Sequence, residues 1–249
     1  MTLATLSDAA LAAELTRRAG ELLLALRDSG QFAGKELGAE GDLRANALLL
    51  EGLAEARPDD AVLSEESQDD PVRLGAERVW IVDPLDGTRE YGEGRGDWAV
   101  HVALTEGGVP VAGAVALPGL GLVLRSDQPQ PVPPHGAPLR MLVSRTRPAR
   151  EATEIAAQLG AVLVPMGSAG AKAMAVVRGE ADIYLHSGGQ YEWDSCAPVA
   201  VALAHGLHCS RIDGSPLVYN QADTYMPDLL ICHREHAADL LAKVRELQA

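Results

Sequence analysis

The run Trp80-Ile81-Val82-Asp83-Pro84-Leu85-Asp86-Gly87-Thr88 constrains this chain more than any other stretch. Residues 78–83 read as an apolar strand, and Pro84 ends its ladder because proline has no N–H to donate. Proline also holds the preceding Asp83 extended, so the strand delivers a carboxylate at its carboxyl end. The turn that follows lets Asp86 swing back toward the same point. Asp83, Asp86 and the Leu85 carbonyl then supply only hard oxygen donors, a set that suits magnesium or manganese over zinc. Gly87 and Thr88 are placed to begin a helix whose free N–H groups suit a phosphate. The competing reading is a plain turn, because Asp, Pro and Gly are ordinary turn residues.

Two other acidic groups bear on that choice. Ser64-Glu65-Glu66 follows a short strand at residues 61–63, and Glu192-Trp193-Asp194 precedes an apolar helix at residues 195–204. Glu65 and Asp194 are candidate partners of the Asp83 turn, although a solvated turn and a helix N-cap are the ordinary uses of such residues.

Around these groups the chain alternates helical and strand-like runs. Apolar spacing predicts helices over residues 3–28 and 43–57, with a glycine-rich loop or hairpin at 30–41. Strands are expected at 98–105 and 109–117, joined by Glu106-Gly107-Gly108, with a third at 120–125. The proline-rich segment 128–138 marks a lobe boundary. Beyond it, strands are expected at 139–144, 161–165 and 181–185, and helices at 151–159, 169–178, 194–204 and 235–247. The alternation indicates a layered α/β arrangement. Two lobes, residues 1–135 and 136–249, are expected to form one catalytic unit.

Composition limits the partners. A net charge of −14 over 249 residues excludes a broad basic face for nucleic-acid polymers. An acidic chain that takes an anionic substrate must reverse the sign locally, and bound divalent cations do so most simply. Residues 1–18 do not read as a signal peptide, and the apolar stretch 109–124 is interrupted by glycines and prolines, against a membrane span. Cys196, Cys209 and Cys232 are odd in number and widely spaced, as reduced cytoplasmic thiols would be. His205-Gly206-Leu207-His208-Cys209 matches no tetrahedral zinc spacing. Gly92-Glu93-Gly94-Arg95-Gly96 lacks the full dinucleotide fingerprint and reads as a flexible loop.

In order and spacing, Glu65-Glu66, the run from Trp80 to Thr88, Gly167-Ser168 and Glu192-Trp193-Asp194 resemble the inositol monophosphatase superfamily. The resemblance covers residues 35–220 and implies an αβαβα (α+β) sandwich of the sugar-phosphatase type. It implies Glu65, Asp83, the Leu85 carbonyl, Asp86 and Asp194 as ligands for two or three magnesium ions, with manganese as a substitute. Asp42 resembles a residue supporting a further metal, though Gly-Asp-Leu-Arg-Ala-Asn stands where many members have Thr-x-Ala-Asp. The implied chemistry is direct phosphoryl transfer to water without a covalent phosphoenzyme. Glu65 and Thr88 would orient a water acidified by an ion held on Glu65 and Asp83. Asp83, Asp86 and Asp194 would hold a second ion beside the leaving oxygen.

Gly167-Ser168-Ala169-Gly170-Ala171-Lys172 is not a Walker A loop, since Ala173 follows the lysine. It resembles the Gly-Ser-x-x-x-Lys region of the CysQ-type 3′(2′),5′-bisphosphate nucleotidase branch. There Gly87, Thr88, Gly167 and Ser168 would hold substrate, Lys172 would meet phosphate or adenine, and Glu192 would contact a hydroxyl. The ordinary reading of Lys172 is a solvated helix residue. Arg89 resembles the lysine of Asp-Gly-Thr-Lys-Glu and would hold a second phosphate. Asp97-Trp98-Ala99-Val100-His101-Val102-Ala103-Leu104, residues 188–195 and residues 213–220 look like the actinobacterial members. The resemblance thus implies cleavage of the 3′-phosphate of 3′-phosphoadenosine 5′-phosphate to AMP, in sulfate assimilation, with lithium sensitivity and a homodimer. Inositol monophosphate or fructose bisphosphate is the alternative substrate, and an inactive nucleotide sensor is the alternative of another class.

Overall fold

The computed structural model describes residues 2–248. Two long helices, α1 (Asp8–Asp28) and α2 (Gly34–Ala56), precede a five-stranded sheet. Its strands are β1 (Ala61–Ser64), β2 (Arg78–Asp86), β3 (Ala99–Glu106), β4 (Val109–Leu117) and β5 (Leu122–Arg125), ordered as in the chain. β1 and β2 run parallel and the remaining pairs antiparallel. A five-residue helix, α3 (Thr88–Gly92), follows β2 directly.

A second five-stranded sheet has the order β7-β6-β8-β10-β9, from β6 (Arg140–Ser144), β7 (Val162–Met166), β8 (Ile183–Tyr191), β9 (His208–Ser210) and β10 (Tyr225–Cys232). Its helices are α4 (Arg150–Leu159), α5 (Ala169–Val177), α6 (Glu192–Ala204) and α7 (Arg234–Gln248).

The period-two alternation of strands fixes the layers. Trp80 and Val82 of β2 pack with Leu15, Leu23 and Leu49 of the two N-terminal helices, while Val79 and Ile81 face Met174 and Val199 of α5 and α6. The second sheet meets that middle layer through Leu142, Tyr184 and Leu229, and its other face, through Met141, Ile183 and Leu230, covers Ile155 and Leu240 of α4 and α7. The result is helix, sheet, helix, sheet, helix. The middle core draws on residues from both sides of segment 128–138, so the two sheets share one apolar interior.

Three local expectations are corrected. Residues 30–41 are not a loop or hairpin beyond Ala33, because α2 starts at Gly34 and runs unbroken through the stretch. The glycines serve close packing: a Cβ on Gly38 would stand 2.7 Å from Thr88 Cγ2, and one on Gly41 3.0 Å from Leu23, Leu85 and Tyr91. The β2 ladder does not end at Pro84. It skips across a register shift and resumes at Asp86, opposite Ala99. Strands β9 and β10 were not expected, and β8 extends to Tyr191.

Candidate active site

The register shift in β2 is what gathers the acidic groups. Pairing holds through Asp83, opposite His101, then breaks until Asp86, so both carboxylates emerge on one side of the strand end. Leu85 N–H donates to Asp83 Oδ1 at 3.1 Å, closing the turn. Thr88 Oγ1 lies 3.1 Å from the Leu85 carbonyl and 3.3 Å from Asp42 Oδ1. Gly87, at φ 90°, lets the chain reverse into α3 where a Cβ would stand 3.2 Å from Ser168 Cβ. Parallel pairing brings Glu65 alongside, its N–H donating to the Val82 carbonyl at 3.2 Å.

Asp86 is tied to the N-terminus of α5. It accepts from Ser168 Oγ (2.5 Å), Ala169 N–H (3.1 Å) and Gly170 N–H (2.6 Å). Ser168 adopts φ 48°, a region side chains seldom visit, and its Oγ also accepts the Ala171 N–H at 2.9 Å. Strain of this kind, about 1–3 kcal/mol, persists only where surrounding bonds enforce it. Lys172 is only 5% exposed, so the solvated-helix reading is wrong. Its Nζ bonds the Ser168 carbonyl (2.5 Å) and the Gly167 carbonyl (3.2 Å), and burial lowers its pKa.

His101 was missed by motif reasoning. Its ring is buried, with Nδ1 3.1 Å from the Trp193 carbonyl and Nε2 3.3 Å from Asp86 Oδ2. A carbonyl only accepts, so Nδ1 carries a proton. Burial opposes the charged ring, but Asp86 outweighs it and raises the His101 pKa. Asp83, Asp86 and His101 each offer a donor atom, all within 4.8 Å of one another. Glu65 and Asp194 stand outside that cluster, yet their charges act on it.

The electrostatics test whether a cation suits the site. Burial and the neighbouring Glu65 and Asp86 push Asp83 well above the usual carboxylate range. Burial and Glu66 raise Glu65 to about 7, although Glu65 keeps solvent access at the rim. Burial and Asp86 raise Asp194 to about 7, and burial and Glu66 raise Asp42 to about 7. Asp86 differs. Burial pushes it up, but His101, Lys172 and Ser168 together hold it down to about 2. Oxygen donors whose charges oppose one another in this way fit a hard divalent cation. Asp194 lies in the first turn of α6, where it accepts the Tyr191 N–H at 2.7 Å instead of preceding the helix.

A cleft of about 190 Å³ opens beside these groups, lined among others by Asp86, Gly87, Arg89, Gly167, Ser168, Lys172 and Asp194. Arg89 reaches it while largely exposed and paired to Glu93 at 2.9 Å. Arg145 and Arg147, on the loop after β6, also line it and were not foreseen. Arg145 is paired with Glu90 and Glu93, whereas Arg147 makes no ion pair among the described residues. A general rule could have found them, since ligands of α/β sheets collect beyond the carboxyl ends of strands. An adjoining cavity is lined by Lys35, Asp42, Thr88 and Arg89. Glu192 is not brought to the cleft. It is 1% exposed, and its two oxygens accept the Asn220 and Gln221 N–H groups, each at 2.7 Å.

Comparison with known proteins places the whole chain in one family. The model of the inositol monophosphatase family matches residues 6–249. The 3′-phosphoadenosine 5′-phosphate phosphatase of Mycobacterium leprae (strain TN) is 54% identical over 259 residues, covering 98% of this chain and 96% of that protein. The 3′(2′),5′-bisphosphate nucleotidase CysQ of Salmonella typhimurium is 31% identical over 233 residues, covering 86% and 94%. The crystal structure of CysQ from Bacteroides thetaiotaomicron, 25% identical, superposes with a TM-score of 0.76 over 94% of this chain and 99% of that one. With its acidic strand end, its two sheets and a family match along nearly its whole length, this chain belongs to the inositol monophosphatase family.

Proposed function

We propose that this chain is a magnesium-dependent phosphatase that removes the 3′-phosphate of 3′-phosphoadenosine 5′-phosphate to give AMP. The observation that carries the reading is the mixed charge of the cleft. Its lining combines the carboxylates Asp86 and Asp194 with the cations Arg89, Arg145, Arg147 and Lys172. A substrate with two phosphates suits such a lining, one phosphate reached through ions on the carboxylates and the other through the cationic side chains. The names borne by the relatives point to the same substrate class.

Glu65, Asp83, Asp86, Asp194 and the Leu85 carbonyl are the residues that would hold the ions. Bound magnesium supplies Lewis-acid stabilisation of the phosphoryl charge and acidifies water. The chain's own contribution is placement. Asp86, fixed by three donors at the head of α5, sets the position of the turn against that helix. Thr88 Oγ1, held between the Leu85 carbonyl and Asp42, and Glu65 at the rim flank the space where a water would align for attack. Residues 1–135 supply Glu65, Asp83 and Asp86, and residues 136–249 supply Ser168, Lys172 and Asp194, so hydrolysis needs both. Three free cysteines suit a reducing compartment, and no helix among the described residues is long and apolar enough to cross a membrane.

The test is phosphate release under magnesium, with and without lithium, from 3′-phosphoadenosine 5′-phosphate, inositol 1-phosphate and fructose 1,6-bisphosphate. The expected result is the highest kcat/KM for the nucleotide. Faster turnover of either sugar phosphate overturns the substrate, and release from none overturns the enzyme.

A further inference from the structure

The linker between the two sheets meets the start of α7 in a cluster of imidazoles far from any motif. His135 stacks edge-on against His236 with ring centroids 4.5 Å apart, and His233 closes the group at 5.9 Å from His135. His135 Nε2 lies 3.7 Å from Glu235 Oε1. One donor atom each from His135, Glu235 and His236 fall within 4.8 Å of one another. None of these residues lines the acidic cleft.

Two features mark the cluster as more than aromatic packing. Nε2 of His236 and Nε2 of His233 are buried without a hydrogen-bond partner, and His233 as a whole is 8% exposed. Buried polar nitrogens are rarely left unsatisfied. The scaffold is also firm beside His135, where Gly136 N–H donates to Asp182, a fully buried carboxylate that also accepts the Arg140 N–H at 2.7 Å. On the other side, one turn at the head of α7 sets the spacing of Glu235 and His236, with the His236 N–H bonded to the His233 carbonyl at 3.0 Å.

We propose that His135, Glu235 and His236 form a second metal site, one that takes a borderline divalent transition ion such as zinc, nickel or copper. Two imidazoles and a carboxylate favour those ions over magnesium, which asks for oxygen donors throughout. Exposure of His135 and Glu235 leaves the remaining positions to water. A bound ion joins the linker to α7 across the outer face of the second sheet.

The test uses tag-free full-length protein with magnesium in excess, so that the oxygen centre is filled. Zinc is titrated calorimetrically into the wild type, His135→Ala, His236→Ala and Glu235→Gln, and copper-loaded samples are examined by electron paramagnetic resonance. The expected result is a zinc equivalent in the wild type that is lost, or bound at least about tenfold more weakly, in each variant. Magnesium-dependent turnover stays unchanged, and nitrogen hyperfine coupling in the copper spectrum falls when either histidine is removed. Zinc isotherms that coincide in wild type and variants, or copper spectra without nitrogen coupling, overturn the proposal.

Discussion

Replacing Asp194 by asparagine removes one negative charge from the first turn of α6 and keeps the side chain's shape. Asparagine Oδ1 still accepts the Tyr191 N–H, so the bond at 2.7 Å survives. What changes is the charge balance. Burial and Asp86 raise the Asp194 pKa from 3.8 to about 7. The fold therefore holds the proton more tightly than the unfolded chain does. The associated stability is fully present below pH about 4 and is lost as the pH climbs through about 7. At about 1.4 kcal/mol per pH unit, the charged carboxylate costs the metal-free protein at most about 4 kcal/mol at pH 8. Asp194→Asn removes that cost. In EDTA at pH 8 the variant is expected to melt several degrees above wild type, since 1 kcal/mol shifts a chain of this size by about 2–4 °C. At pH 5 the gap narrows to about 1.6 kcal/mol, and it closes only below pH about 4. Magnesium stabilises the wild type at pH 8 and the variant far less, because the ion relieves a repulsion the variant no longer has. Calorimetric melts at both pH values, with and without magnesium, measure all four quantities. A variant less stable than wild type in EDTA at pH 8 refutes the reasoning.

A Cβ on Gly170 would stand 2.0 Å from His101 Nε2, so Gly170→Ala should displace the ring and with it Asp86, lowering kcat at least about tenfold at a stability cost of about 1–3 kcal/mol; steady-state kinetics at near-wild-type rate would exclude this. Glu192→Gln loses one charge-assisted acceptor of the Asn220 and Gln221 N–H groups and should cost about 1.5–3 kcal/mol in urea unfolding with KM unchanged; a raised KM without destabilisation would return Glu192 to the substrate. Arg147→Ala should raise KM for 3′-phosphoadenosine 5′-phosphate by roughly tenfold or more and leave that for 3′-AMP nearly unchanged, about 1.5–3 kcal/mol being the worth of a charged hydrogen bond; equal losses on both would remove it from the second phosphate.

The parts that were legible in the sequence are those whose cause is local. Pro84 and the Asp-Gly pair announce a strand end, and the apolar runs flanking Glu106-Gly107-Gly108 announce a hairpin, because backbone restriction and pattern suffice. Gly38 and Gly41 misled because glycine disfavours isolated helices, whereas here α2 must approach Thr88 and Leu85 closely and tertiary packing overrides propensity. β10 was hidden by Pro227, which sits at the register shift between Met226 and Asp228 where no ladder bond is required. In the site, the meeting of Asp83 and Asp86 was legible because both lie in one contiguous motif. His101, Arg145 and Arg147 were not, since what gives each a role is the partner that folding brings to it. Glu192 was misplaced for the same reason: two backbone N–H groups about thirty residues downstream engage its carboxylate.

The most direct test of the metal-centred account is the turnover of Asp83→Asn in magnesium, measured beside its melting temperature. The substitution keeps the acceptor for the Leu85 N–H at 3.1 Å and removes only the charge. The account predicts a folded protein with phosphate release from 3′-phosphoadenosine 5′-phosphate reduced to background. A folded Asp83→Asn variant that retains near-wild-type turnover in magnesium would contradict it.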